Sequence, residues 1–324
     1  MSEIRTQSPK VSILIPVYNR ETLIGECVQS ALDQTFTDFE IIIADNASTD
    51  GTWEVCRQYA AKDKRIRLFR NDTNIGPVRN WLRCVSEARG EFGKILFSDD
   101  LMLPKFLEHT LPYLEDAEVA FVSTAAIIGE SPDEGIVQYA NLGGEQRLSC
   151  ERYFDLLINV RAPYSPGAGI FRMSDIRENL LDSIPVKIRH DFTKNGAGPD
   201  VLLYALTSVQ YKYVVLLADR DVFFRMHAGS ISMLNSDNEV VKGYRAAMAW
   251  FCRKKLTRRH WARYVARAWL LDMAIERQLL SMRKHCVMYE GNGTFSEILE
   301  IFCCALRELW AYMLKKSVGR IQLN

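Results

Sequence analysis

Apolar and polar positions alternate in short blocks over the first 130 residues. Residues 11–17 (VSILIPV) form a continuous, β-branched run that predicts a buried strand, closed by the polar turn Tyr18-Asn19-Arg20. Leu23, Cys27, Val28 and Leu32 then recur at helical spacing. Residues 39–44 (FEIIIA) predict a second strand running straight into Asp45. Thr49 or Asp50 is placed to cap a helix through Trp53, Val55, Cys56 and Tyr59. A third strand at 66–69, a helix from Pro77 to residue 88 and a fourth strand at 92–97 follow, the last stopping at Ser98-Asp99-Asp100. Leu103-Pro104 opens another helix, and 119–128 reads as a fifth strand. Strand and helix alternating in this way predict an α/β fold with a doubly wound, mainly parallel sheet.

The pattern is weaker from 130 to 235, with helical spacing at 153–158 and 199–207 and strand signals at 211–217 and 221–225. From Val240 onward it is helical. Val265, Ala268, Leu271, Ile275, Leu279 and Met282 trace one amphipathic face. Phe295, Ile298, Phe302, Leu306, Leu309 and Met313 trace another, beyond a break at Gly291-Asn292-Gly293. Two domains are expected: an α/β domain over 1–235, in halves 1–120 and 121–235, and a helical region over 236–324.

Charge sharpens that division. Residues 242–324 carry 16 Lys plus Arg against 6 Asp plus Glu, so the formal net of +1 hides +10 there and −9 on residues 1–241. A hydrophobic share of 48% and a charged share of 25% exclude collagenous and disordered chains. The longest uncharged stretches, 119–129 and 201–211, are short of the roughly 20 apolar residues a spanning helix needs. The start, MSEIRTQSPK, lacks a basic-then-apolar signal pattern, so a cytoplasmic protein is expected. The eight cysteines show no two-residue spacing and read as reduced, packing thiols.

In open α/β sheets, ligands bind beyond the carboxyl ends of the strands. Polar clusters stand at four such ends: Tyr18-Asn19, Asp45-Asn46, Asn71-Asp72 and Asp99-Asp100. No G-x-G-x-x-G turn follows the first strand and no G-x-x-x-x-G-K-[ST] loop exists, which disfavours the commonest nucleotide enzymes of this architecture. A different nucleotide site fits better. Tyr18, beyond Pro16, can stack on a base, Asp45 can accept from a base N–H, and Arg79 can face a phosphate. Ser98-Asp99-Asp100 offers hard oxygens for Mg²⁺ or Mn²⁺ on a diphosphate.

VSILIPVYNRE at Val11, EIIIADNASTDGT at Glu40, NIGPVRN at Asn74 and ILFSDDLMLP at Ile95 resemble the family 2 glycosyltransferases of GT-A fold. The resemblance is close from Pro9 to Val119. It continues loosely through SPGAGIFR at Ser165, GPDVLLYAL at Gly198 and FFRMHAGSIS at Phe223. It implies a Rossmann-like, inverting, metal-dependent transferase using a nucleoside-diphosphate sugar, with 1–120 holding the donor and 121–235 the acceptor. On that likeness Pro16, Tyr18, Asp45 and Arg79 hold the nucleotide, Asp99 lies at the ribose or donor sugar, and Asp100 ligates the metal with His227 near it. The family's Asp-x-Asp is altered, with Phe97 at its first position. Asp200, second in a Pro-Asp pair where the family has two acids, is the implied general base, and aspartate is ionised at neutral pH without any shift. Tyr164, Gly167 and Gly169 are placed at the acceptor, where small residues allow a sugar to approach.

The expected function is sugar transfer to a glycan or lipid-linked acceptor, in synthesis of a bacterial-type surface polysaccharide. A nucleotidyltransferase and a non-catalytic nucleotide- or carbohydrate-binding module are the alternatives. The basic, Trp-bearing helices (Arg253-Lys254-Lys255 and Arg258-Arg259 before Trp261 and Trp269) read either as a peripheral anchor on an anionic membrane or as a cap or homodimer interface. No nucleic-acid partner is expected, because charge alone would support one.

Overall fold

The computed structural model describes residues 8–139, 146–159, 161–227, 229, 238–276 and 279–321. Backbone contacts divide the chain into two compact units, Met1–Ser183 with Asp191–Val240, and Ile184–His190 with Val241–Asn324.

The first unit is built on one sheet. Strands β1 (Val11–Val17), β2 (Phe39–Asp45), β3 (Ile66–Arg70) and β4 (Phe92–Ile95) alternate with helices α1 (Ile24–Leu32), α2 (Thr52–Lys62) and α3 (Pro77–Glu87). There follow β5 (Leu101–Met102), α4 (Phe106–Leu114), β6 (Val119–Gly129), β7 (Ile136–Gln138), β8 (Arg147–Ser149) and α5 (Cys150–Ile158). The unit closes with β9 (Gly169–Arg172), α6 (Met173–Asn179), α7 (Pro199–Ser208) and β10 (Tyr213–Arg225). The strand order is β3-β2-β1-β4-β9-β6-β10-β5, with β7 added on β6 and β8 on β10. The β1–β2, β2–β3, β1–β4 and β6–β10 pairs are parallel, and β9 runs antiparallel between β4 and β6. Every residue of β1 and β2 is buried, because helices cover both faces of a parallel sheet.

The chain therefore winds outward from β1 through β2 to β3, then returns to pair β4 on the other side of β1. That reversal opens a crevice above the carboxyl ends of β1 and β4. Local chemistry sets the helix starts. Pro77 and Pro199 stand at first-turn positions, where a missing N–H costs nothing. Gly198 precedes the second of these at φ +120°, a conformation for which only glycine is suited.

Two expectations change. The strand signals at 211–217 and 221–225 belong to one strand, β10, whose register against β6 shifts between Leu217 and Val222. The exposed Ala218-Asp219-Arg220 stretch is a bulge inside the strand rather than a turn between two. The helix at Asp50 begins at Thr52, and the Asp50 carboxylate accepts from the Thr52 N–H at 3.0 Å.

The second unit is helical: α8 (Asn238–Lys255), α9 (Arg258–Glu276), α10 (Met282–Met288) and α11 (Phe295–Ile321). The face running to Met282 is not one helix: Leu279-Leu280-Ser281 are non-helical and Met282 opens α10. Trp261 is fully buried and donates to the Tyr289 carbonyl at 2.6 Å. Ile301, Cys304 and Ala305 turn inward from α11, and Arg253–Glu297 (2.7 Å), Arg258–Glu300 (2.7 Å) and Arg263–Glu308 (3.2 Å) pairs fix its register. No helix among the described residues is long and apolar enough to cross a membrane. All eight cysteines are unpaired, and only Cys303 is exposed.

Candidate active site

The turns after β1 and β2 are laced together. The Asn19 N–H donates to Ser48 Oγ at 3.0 Å, the Thr49 N–H to Asn19 Oδ1 at 2.9 Å, and the Arg20 N–H to Thr52 Oγ1 at 2.7 Å. Asn19 and Ala47 adopt positive φ, +50° and +58°, which is strain a side-chain-bearing residue accepts only where its surroundings impose it. Tyr18 projects from this lattice 39% exposed, positioned for stacking. Pro16 is buried in register with Ala44 and backs the turn from within the ladder.

Asp45 differs from expectation. Its side chain has no exposure, and its carboxylate is closed by Arg70 Nε at 3.0 Å and the Ser48 N–H at 3.2 Å. Arg70, at the end of β3, supplies the counter-charge, so Asp45 anchors the turn instead of facing a base directly. Beside it lies an amide network the residue pattern alone did not single out. Asn46 Nδ2 donates to Asn74 Oδ1, Asn71 Nδ2 donates to Asn46 and Asn80, and Asn80 Nδ2 donates to the Ala44 carbonyl. These bonds tie the ends of β2 and β3 to the head of α3. Arg79 stands on that helix. Its guanidinium is exposed and stands 3.7 Å from Asp182.

At the crevice, Asp99 Oδ2 receives Arg20 Nε at 3.3 Å and His227 Nε2 at 3.0 Å. The Gly229 N–H donates to His227 Nδ1 at 3.2 Å, which leaves the ring proton on Nε2, where it points at Asp99. His227 thus donates to Asp99, the acid next to Asp100. A ligating Nε2 would need the proton on Nδ1 and would break the Gly229 bond. Asp100 is buried and its Oδ1 accepts from the Arg225 N–H at 3.0 Å. Burial first, and then the negative charge of Asp99, push its carboxyl well above the usual range. A divalent cation against this pair would remove that repulsion, so the donor set fits Mg²⁺ or Mn²⁺. No group of three His, Cys, Asp or Glu side chains is arranged to hold a metal ion by itself among the described residues. Two carboxylates, with phosphates and waters, are nevertheless what Mg²⁺ ordinarily takes.

Below the acids sits a lysine the pattern of the sequence concealed inside a strand. Lys94 is fully buried, donates to the Gly167 carbonyl and lies 4.5 Å from the Phe106 ring centroid. Burial, only partly offset by the Asp100 carboxylate, pulls its ammonium down to about 7. Phe97 packs on Trp81 at 5.3 Å between centroids, so an aromatic contact occupies the position where the family motif has an acid.

Asp200 lies in the first turn of α7, nine-tenths buried, with Oδ1 accepting from the N–H groups of Gly198 (2.9 Å) and Val201 (2.6 Å). Tyr164 feels this carboxylate: burial chiefly, and Asp200 next, push its phenol up to about 12. Gly167 and Gly169 are small for another reason than room for a sugar. A Cβ at Gly167 would meet Phe224 at 2.9 Å, and one at Gly169 would meet Tyr204 Oη at 2.3 Å. Protein rings already fill that space.

A family model described as Glycosyl transferase family 2 matches residues 12–179. Among curated relatives, Glycosyltransferase GlyG of Streptococcus pneumoniae is 30% identical over 115 residues, which is 36% of this chain and 38% of that protein. Chondroitin synthase of Escherichia coli is 38% identical over 118 residues, 36% of this chain and 17% of that protein. The chain thus spans well under half the length of these relatives. Among solved structures, S. aureus TarS 1–349 in complex with UDP superposes with a TM-score of 0.62 at 17% identity, over 86% of this chain and 80% of that one. The same protein in complex with UDP-GlcNAc gives 0.57 at 16% identity, over 93% and 92%. At such identity the likeness is one of fold.

Proposed function

The chain belongs to glycosyl transferase family 2, and on that premise we propose that it moves a sugar from a nucleoside-diphosphate sugar to a glycan or lipid-linked acceptor, in synthesis of a surface polysaccharide at the cytoplasmic side. One observation carries the reading: Arg20, Asp99, Asp100 and His227 meet above the ends of β1 and β4, where an open α/β sheet binds ligand. Residues 1–120 are the donor half and 121–235 the acceptor half of the transferase domain, with 236–324 as the appended helical region. UDP and UDP-GlcNAc in TarS support a nucleoside-diphosphate donor.

Tyr18 stacks on the base, and Asp45 with Arg70 keeps the turn beneath it in its strained form. Asp99, oriented by Arg20 and His227, faces the donor, and Asp100 with Asp99 would hold Mg²⁺ or Mn²⁺. Such an ion, when bound, offsets charge on the departing diphosphate. The remaining requirement is removal of the acceptor's proton. Asp200 performs it, its carboxylate held through Oδ1 by two N–H groups, and transfer proceeds with inversion.

A panel of nucleotide sugars with Mn²⁺ or Mg²⁺, scored for nucleoside diphosphate released with and without acceptor, tests the function. Asp200→Asn should lower kcat by about 10² to 10⁴-fold with donor affinity little changed. Pyrophosphate as the product would indicate nucleotidyl transfer. Binding of donor with no turnover under any condition would leave a binding module.

A further inference from the structure

On α11, Phe295, Leu299, Phe302, Leu306 and Leu309 recur every three or four residues, Trp310 adjoins them, and all six face solvent. Phe295 is 80% and Trp310 64% exposed. The stripe is about 22 Å long at 1.5 Å per residue. Beside its first turns it widens into an apolar groove of about 440 Å³, whose wall includes Trp269, Leu280, Met282 and the 87% exposed Leu279. Isolated surface leucines are unremarkable, but a continuous apolar surface of this extent marks a docking face.

Charge identifies the partner. The acids of this helical unit whose side chains are described are all engaged within it. Asp272 pairs with Arg245 and His285, Glu297 with Arg253, Glu300 with Arg258 and Glu308 with Arg263, while Glu290 accepts from the Lys187 N–H. Arg307 flanks the stripe, while Arg283 and Lys284 follow the groove residue Met282 and line a neighbouring groove with Lys187 and Val287. Arg283, Lys284 and Arg307 are exposed and form no ion pair among the described residues. The same helix continues with Lys315, Lys316 and Arg320 in the sequence. The apolar stripe is therefore flanked by Arg307 and belongs to a unit whose exposed bases are not neutralised by its own acids. The same helical face of a second copy would bring the same unpaired bases and no unengaged acids to meet them. A layer of anionic headgroups over hydrocarbon supplies both the missing charge and the apolar contact, and tryptophan and tyrosine suit that boundary.

We propose that this stripe and groove seat the protein on an anionic membrane surface, with α11 lying in the plane of the headgroups. The inference goes beyond the transferase reading, and its test measures binding, not transfer. Full-length protein is floated with vesicles of phosphatidylcholine alone or mixed with phosphatidylglycerol, at low and high salt. Wild type should float with the mixed vesicles at low salt, be released by salt, and stay down with phosphatidylcholine. F302E/L306E, at side chains already exposed, should cut partitioning at least tenfold while helical circular dichroism and donor hydrolysis persist. R283A/K284A/R307A should weaken it and flatten its salt dependence. Tryptophan emission should shift blue on vesicle addition in wild type and lose most of that shift in Trp310→Phe. Protein that stays soluble with anionic vesicles at low salt overturns the proposal. So does equal flotation of wild type and F302E/L306E. A soluble dimer that F302E/L306E dissociates, without flotation of wild type, assigns the stripe to a second copy instead.

Discussion

Replacing Lys94 with methionine isolates the energetic consequence of an amine buried beneath the candidate site. Methionine keeps the length and apolar stem of the side chain but cannot carry charge. Unfolded, the lysine titrates near 10.5; folded, burial brings it to about 7. The sign follows from proton counting: between these values the unfolded chain binds more protons, so the stability associated with Lys94 rises with pH. Below pH 7 both states hold the proton and the burial cost is complete, about 5 kcal/mol at 1.36 kcal/mol per unit. By pH 9 about 3 kcal/mol of it has been recovered, about 2 kcal/mol of that above pH 7. Lys94→Met removes this dependence and adds a pH-independent cost of about 1–3 kcal/mol for the unpaired Gly167 carbonyl. Urea unfolding of both proteins in chelator, at several pH values from 6 to 9, gives the difference curve. Wild type should gain about 2 kcal/mol on the variant between pH 7 and 9, and little between 6 and 6.5. Subtracting the curves cancels the groups that do not feel the Lys94 charge, the buried tyrosines among them, and leaves Lys94 with its neighbours Asp100 and Cys27. A difference flat to about 0.5 kcal/mol across the range would refute a neutralisable lysine at this position.

Asp100→Ala should abolish most of the metal dependence of nucleoside-diphosphate binding while the fold persists, read by thermal shift with Mn²⁺ and with chelator; unchanged affinity would remove the metal role. Arg20→Ala frees Asp99 from one of its two partners, so donor KM should rise severalfold with a smaller effect on kcat, and an unaltered KM would show that Asp99 is held elsewhere. Gly169→Ala puts a methyl 2.3 Å from Tyr204 Oη, which donates to the Ser165 carbonyl, so stability should fall by about 1–3 kcal/mol in chemical denaturation; a neutral outcome would mean that the ring moves aside freely.

The parallel core was legible because β1 and β2 are unbroken apolar runs, a pattern that both-face burial requires. β9 was not, since Gly169-Ile170-Phe171-Arg172 is too short to show a period, and its antiparallel place between β4 and β6 depends on tertiary pairing. At the site, acids at strand ends announced the crevice. Their partners did not announce themselves: Arg70 lies 25 residues from Asp45, and Arg20 and Asp99 are 79 apart. Nothing in single-residue chemistry says which acid such an arginine will close. Lys94 was hidden for the opposite reason, since a polar residue within FGKI reads as the exposed half of an alternating strand, whereas all four residues are buried. The apolar periodicity of α11 was visible, but only the structure shows which of its two stripes, Ile301-Cys304-Ala305 or Phe302-Leu306-Leu309, is already covered.

The brief visit of residues 184–190 to the helical unit has a consequence for how this chain can be divided. Lys187 donates its N–H to Glu290 at 2.8 Å and its ammonium to the Gly291 carbonyl at 2.6 Å, more than a hundred positions along. A single cut near residue 240 strands that heptapeptide without its hydrogen-bonding mates, and it deprives the helices of a lysine clasp over the Glu290-Gly291 corner. The two units are therefore interleaved along the polypeptide, not strung end to end. Recombination that exchanges one for a homologue's needs two matched crossovers flanking 184–190 as well as the one at 240, so inheritance as a pair is the simpler route for the gene.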